Sequence, residues 1–258
     1  MVQRHRRPTR LPRARFALVA ATVLVAAAAA WAVFPGSAVP TAAPPPPGPP
    51  GVVTPVPLGE PAVGALFGAA GERGCTASVV HSPGRNLVLT AAHCVTGDDM
   101  FFAPGYHDGQ RPSGTWQVVD RILDDRWDSD GDPDYDLAFL LVRDADGDRL
   151  VEDVAGAHEL ATEGPFDQPV RMTGYPAGLD HPISCDGLSQ RWEDTQLRIA
   201  CAGFTDGTSG GPWVTASGAV VGLIGGYEQG GGTADISYSP YFGEGVAALY
   251  RRATGGAR

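Results

Sequence analysis

Three side chains, widely separated in the sequence, have the types needed for nucleophilic acyl transfer. Ser209 stands in Gly207-Thr208-Ser209-Gly210-Gly211-Pro212. Glycines on both sides let the backbone turn tightly and bring its N–H groups up to a carbonyl. A hydroxyl is a weak nucleophile at neutral pH, so it needs a base beside it, and imidazole is the side chain best suited to that task. His93 closes an apolar run in Thr90-Ala91-Ala92-His93-Cys94. Asp136 opens another in Asp134-Tyr135-Asp136-Leu137-Ala138-Phe139-Leu140-Leu141, where a carboxylate can hold the imidazole tautomer and stabilise its cation. Asp134 competes for that role, with Asp128, Asp130 and Asp132 close by; Asp136 is favoured because it directly precedes the apolar run.

The order of these residues excludes two arrangements. Gly-x-Ser-x-Gly also matches the nucleophile elbow of α/β-hydrolases, but that fold needs its His after the Ser, and no His follows His181. The subtilisin order needs an Asp before the His, and the first Asp is Asp98. The order His, Asp, Ser remains, with spacings of 43 and 73 residues. At these motifs the sequence resembles the trypsin/chymotrypsin-like serine peptidases, nearest the bacterial branch that includes the glutamyl endopeptidases, over about Ala62 to Ala253.

The resemblance implies an all-β fold of two antiparallel six-stranded barrels with a short C-terminal helix and the site in the cleft between them. It implies a serine endopeptidase that acts on protein or peptide through an acyl-enzyme, without a cofactor or metal. The catalytic residues are then His93, Asp136 and Ser209, and the N–H groups of Gly207 and Ser209 form the oxyanion hole. By position, Gly203, Phe204, Thr205 and Ile224 to Tyr227 (Ile224, Gly225, Gly226, Tyr227) line the substrate pocket, with Gly225 to Tyr227 pairing with substrate as an added strand. A catalytically silent member that binds peptides or a partner, and an esterase on the same fold, are the alternatives.

The sequence departs from the family in three places. Thr208 replaces the acid that pairs with a freed N-terminus in animal trypsins, and Pro61-Ala62-Val63-Gly64 replaces their start. Gly203 occupies the position of trypsin's pocket acid, so trypsin-like cleavage after Arg or Lys is not expected. Ile224 stands where glutamyl endopeptidases carry a His, which removes the support for glutamate preference. An apolar or small side chain is the expectation that remains.

The elements that position these residues are strands. With 35 Gly and 23 Pro in 258 residues, the chain has too many breakers for a helical bundle. Strands are predicted at Thr76–Val80 and Leu87–Thr90, as a hairpin, and at 116–123, 136–142, 170–174, 196–202, 213–215 and 220–225. Only 246–253 reads as a helix. Four cysteines, Cys75, Cys94, Cys185 and Cys201, predict two disulfides, and all three pairings are compatible with the sequence.

Residues 1–38 read as a signal peptide or N-terminal membrane anchor: a basic head, then nineteen uncharged positions from Phe16 to Phe34. Residues 39–61 read as a Pro-rich linker or propeptide, and 62–253 as the peptidase domain. The expected location is secreted, or anchored to the outer face of the membrane, with the N-terminal segment the only membrane contact. The net charge is -10, all basic residues are Arg, and six of them precede residue 16, so the body is strongly acidic. That excludes nucleic-acid binding through phosphate neutralisation. A monomer is expected.

Two Asp-rich stretches, 128–132 and 144–148, lack the Gly and Glu of an EF-hand loop and read as solvated turns. Gly230-Gly231-Gly232 reads as a flexible barrel loop, and His81, His107, His158 and His181 as surface residues.

Overall fold

The computed structural model describes residues 46–255; the predicted signal or anchor segment and the start of the Pro-rich tract lie outside them. Among the described residues, no helix is long and apolar enough to cross a membrane. A short first strand, β1 (Val52–Pro55), precedes a closed barrel of β2 (Val63–Phe67), β3 (Arg73–Val80), β4 (Leu87–Thr90), β5 (Phe101–Pro104), β6 (Trp116–Leu123) and β7 (Ala138–Asp144). The order around the barrel is β2-β3-β4-β7-β6-β5. Two short helices, α1 (Asp125–Asp130) and α2 (Val151–Ala155), flank β7, where the sequence pattern predicts none.

Strand β4 is buried along its whole length, which its unbroken Leu-Val-Leu run encodes. The helix α3 (Glu244–Ala253) packs on β6 and β7, and its Val246, Leu249 and Ala253 join the barrel core. Their spacing puts one apolar stripe on the barrel. Glu244 in the first turn and Arg251 and Arg252 in the last complement the helix dipole.

The second half is a curled sheet of β8 (Glu159–Leu160), β9 (Gln168–Gly174), β10 (Ile183–Arg191), β11 (Gln196–Ala200), β12 (Pro212–Val214), β13 (Ala219–Leu223) and β14 (Ile236–Pro240). Its order is β14-β11-β10-β9-β12-β13-β8, so it does not close by a backbone ladder as a six-stranded barrel does. At its end the two-residue β8 pairs in parallel with Ala219–Val220 of β13. The far end of β13 still meets β14: Leu223 N–H donates to Ser239 Oγ (2.9 Å) and Gly225 N–H to Tyr238 O (3.0 Å). Gly222 permits this approach, because a Cβ there would sit 2.8 Å from Ser239 Oγ.

Disulfides join Cys75 to Cys94 and Cys185 to Cys201, the sequence-local pairing. Each closes a short loop in the unfolded chain, a constraint of about 3 kcal/mol in the chain-entropy description.

The expected spacer is not separate from the domain over its last part. Strand β1 adds antiparallel to β10, Val52 opposite Asp186 and Pro55 opposite Ile183. Gly48 N–H donates to Gln190 Oε1, Gly51 N–H to Ala200 O, and Val56 N–H to Pro182 O. Gly51 lies so close to the Cys185–Cys201 sulfurs that a Cβ would be 2.5 Å from one of them. All four β1 side chains are exposed, so backbone pairing carries the attachment. A chain beginning at Leu58 should therefore unfold about 5 °C below one beginning at Pro46, measured by thermal denaturation, through loss of hydrogen bonds worth about 1 kcal/mol each. Equal midpoints would contradict this account of β1.

Candidate active site

His93 sits in a 3-10 turn (Ala92–Cys94) that β4 delivers and the Cys75–Cys94 disulfide ties back to β3. Asp136 follows a second 3-10 turn, Pro133–Tyr135, and stands two residues before β7. Pairing of Thr90 with Ala138 across β4 and β7 brings these turns together, although 43 residues separate them. The Asp136 side chain has no solvent exposure and that of His93 has 13%. Asp136 Oδ1 accepts the His93 backbone N–H at 2.9 Å, and Oδ2 contacts His93 Nδ1 at 2.8 Å. With a carboxylate as acceptor, Nδ1 carries the proton and Nε2 is left as a base.

Oδ2 also accepts the Gly226 N–H at 2.8 Å, a contact that sequence reasoning missed because a backbone donor leaves no side-chain signal. Asp134 is directed elsewhere: its Oδ1 accepts Gln196 Nε2 at 2.7 Å.

Ser209 lies in a turn braced from the barrel. Thr76 N–H donates to Ser209 O (2.8 Å), and Thr76 Oγ1 donates to Gly207 O (2.9 Å) while accepting Tyr175 N–H (3.0 Å). Thr208 is buried, and its N–H and hydroxyl both donate to Thr205 O. These bonds use the carbonyls of the turn. The N–H groups of Gly207 and Ser209 donate to no protein acceptor among the described residues. Gly207 (φ 92°) and Gly210 (φ 80°) are both left-handed, and a Cβ on Gly210 would lie 2.2 Å from both Thr76 O and Thr90 Oγ1.

Ser209 and His93 line one cavity of about 520 Å³. The hydrogen bonds of His93 run to Asp136, and none joins it to Ser209 among the described residues. Such contacts are often long until substrate binds. The sulfurs of Cys75 and Cys94 also approach His93, but the disulfide removes them as thiolate ligands.

Of the predicted pocket residues, Phe204, Thr205 and Ile224 line this cavity; Gly203, Gly225, Gly226 and Tyr227 do not. At 225–227, where an added substrate strand is expected, the donor side of the edge is in use. All three N–H groups are engaged, by Tyr238 O, Asp136 Oδ2 and Gln196 Oε1, and the chain then curls into a 3-10 turn over Tyr227–Gly230. The wall is completed instead by Glu228 to Ala234, which includes the triple glycine read as a plain loop. Tyr227 packs edge-on against Tyr238, with ring centroids 4.9 Å apart.

The Asp-rich stretches hold local structure. Asp124 and Asp132 cap α1 and the following turn, and the buried Asp144 is paired with Arg149, whose hydrogen bond holds the Asp144 carboxyl below the usual range. His158 is not a plain surface residue. Its Nε2 is buried without a partner, and burial pushes its pKa down.

A model of the trypsin-like peptidase domain matches residues 75–223. No curated protein matches the sequence. Among solved structures, the protease Anisep from Arthrobacter nicotinovorans is 25% identical with a TM-score of 0.70, covering 79% of this chain and 100% of that one. A thermostable serine protease, AL20, from an extremophilic microorganism is 27% identical with a TM-score of 0.67, covering 77% and 99%. A Glu endopeptidase, 18% identical with a TM-score of 0.65 over 81% and 99%, shares the fold.

Two glycine substitutions separate the packing of the Ser209 turn from backbone strain alone. Gly71 is also left-handed (φ 84°) but has nothing within 4 Å of its would-be Cβ. In denaturant titrations Gly71→Ala should cost about 1 kcal/mol, and Gly210→Ala about 3 kcal/mol or more because Thr76 and Thr90 must shift.

Proposed function

The chain belongs to the trypsin-like peptidase family, and on that premise we propose that it is an exported serine endopeptidase that cuts peptide bonds through a His93-Asp136-Ser209 triad. The observation that carries this reading is the buried Asp136 carboxylate holding His93 Nδ1, with His93 and Ser209 on the wall of one cavity.

In the proposed mechanism His93 Nε2 takes the Ser209 proton as Oγ attacks the scissile carbonyl. The carbonyl oxygen becomes an oxyanion and is met by the N–H groups of Gly207 and Ser209, which have no acceptor to give up among the described residues. Collapse of the tetrahedral intermediate breaks the C–N bond. His93 hands its proton to the leaving amine, and an acyl ester remains on Ser209. Water, deprotonated by His93, hydrolyses that ester and restores the hydroxyl. Asp136 remains ionised throughout and stabilises the imidazolium that forms twice per cycle. Two disulfides and an N-terminal segment of signal-like composition support export.

A fluorophosphonate probe should label the full chain once, on Ser209, and Ser209→Ala should take up none. His93→Ala should slow labelling by about 10³-fold, the usual worth of a general base. Absence of label on the intact chain would favour a silent binding protein. Labelling without cleavage in a peptide-library digest would favour an esterase.

A further inference from the structure

We propose that Arg73 is a positioning residue for the oxyanion donors: its guanidinium holds the backbone of residues 175–177 against the Ser209 turn and so fixes where the Gly207 N–H points. This rests on the peptidase reading and adds to it a residue outside the triad.

Arg73 opens β3, next to Gly74 and Cys75, which line the cavity of His93 and Ser209. Its Nη2 donates to Pro176 O at 3.1 Å. Its guanidinium carbon lies 5.8 Å from the centre of the Tyr175 ring, within reach of a cation–π contact. Elsewhere Arg126, Arg149 and Arg171 each hold an Asp. Arg73 is used differently: it holds a carbonyl, and its Nη1 is buried without a partner among the described residues. Leaving a guanidinium N–H dry is destabilising, so the worth of this side chain lies in what it holds.

It holds the backing of the oxyanion turn. A Cβ on Gly207 would lie 2.6 Å from Tyr175 O and 3.2 Å from Ala177 N, so the two backbones touch with no side chain between them. Ala177 N–H donates to Asp206 O at 2.6 Å, and Thr76 Oγ1 links Tyr175 N–H to Gly207 O. Pro176 stands between these two ties and has no N–H of its own. Its carbonyl, which also accepts the Leu179 N–H at 3.2 Å, is the group by which β3 grips it. Close-packed groups transmit a shift rather than absorb it. A segment released at Pro176 moves against Gly207, and a donor displaced by a fraction of an ångström loses much of its value to an oxyanion.

The test uses the full chain and the acylation burst from a chromogenic active ester, counted per Ser209 that a fluorophosphonate titrates to completion. Arg73→Met keeps the length of the side chain and removes its donors. The acylation rate constant should fall about tenfold or more, while the half-saturating ester concentration changes by less than about twofold. Arg73→Lys, which restores a cationic donor on a long stem, should recover most of the lost rate. Arg73→Gln, too short to reach Pro176 O, should show the same loss as Arg73→Met and replaces it if thermal denaturation finds that variant unfolded. Arg85→Met, at a remote surface pair with Asp153, should match the parent. Equal acylation rates per site in Arg73→Met and the parent would overturn the positioning role, as would a loss that Arg73→Lys does not recover or one that falls wholly on half-saturation. If the parent acylates and is indifferent to Arg73, this inference alone fails. If the parent takes no label and gives no burst, the peptidase reading fails and the inference falls with it.

Discussion

A charged group with no access to water is the constraint around which this molecule is organised. The Asp136 side chain is wholly buried, and a buried carboxylate is tolerated only where donors replace its hydration. Three N–H groups do so: the His93 backbone, His93 Nδ1 and Gly226. Two come from the turn after β4 and the third from the chain leaving β13, so one side chain joins the closed barrel to the curled sheet. Loss of any donor leaves charge uncompensated, which makes the position of His93 a structural requirement.

The Ser209 turn is held by a complementary device. Thr76 on β3 serves as donor to Gly207 O and as acceptor for Tyr175 N–H, and its backbone supports Ser209 O. The Thr90 hydroxyl donates to Thr76 O at 2.8 Å, so the strand carrying His93 braces the strand that carries the turn. Carbonyls are thereby drawn into the scaffold, while the N–H groups of Gly207 and Ser209 have no protein acceptor among the described residues. In the proposed mechanism these N–H groups meet the oxyanion without giving up another bond.

The parts of this arrangement that lie in contiguous residues were legible in the sequence. A His closing an apolar run, an Asp opening one and a Ser between glycines each carry a local pattern, as do the buried β4 and the amphipathic α3. The choice between Asp134 and Asp136 was made there by one rule, adjacency to the apolar run; in the structure the Asp136 carboxylate contacts His93 and that of Asp134 contacts Gln196. What could not be read has a common cause. Strand β1 attaches through its backbone with all side chains exposed, so its Pro-rich composition reads as spacer. The Gly226 donor is a main-chain group. The parallel pairing of the two-residue β8 on β13 and the placement of Glu228 by two left-handed residues beside Gly232 are matters of backbone geometry. None of these leaves a periodic side-chain signal.

The central claim is that Asp136 fixes His93 as the base for Ser209. The most direct measurement is the pre-steady-state burst from a chromogenic active ester, compared between the parent chain and Asp136→Asn with folding checked by thermal denaturation. A stoichiometric burst is expected from the parent, and an amide at 136 should slow acylation by about 10⁴-fold because it favours the wrong imidazole tautomer. A folded Asp136→Asn protein that acylates Ser209 at the parent rate would contradict the account.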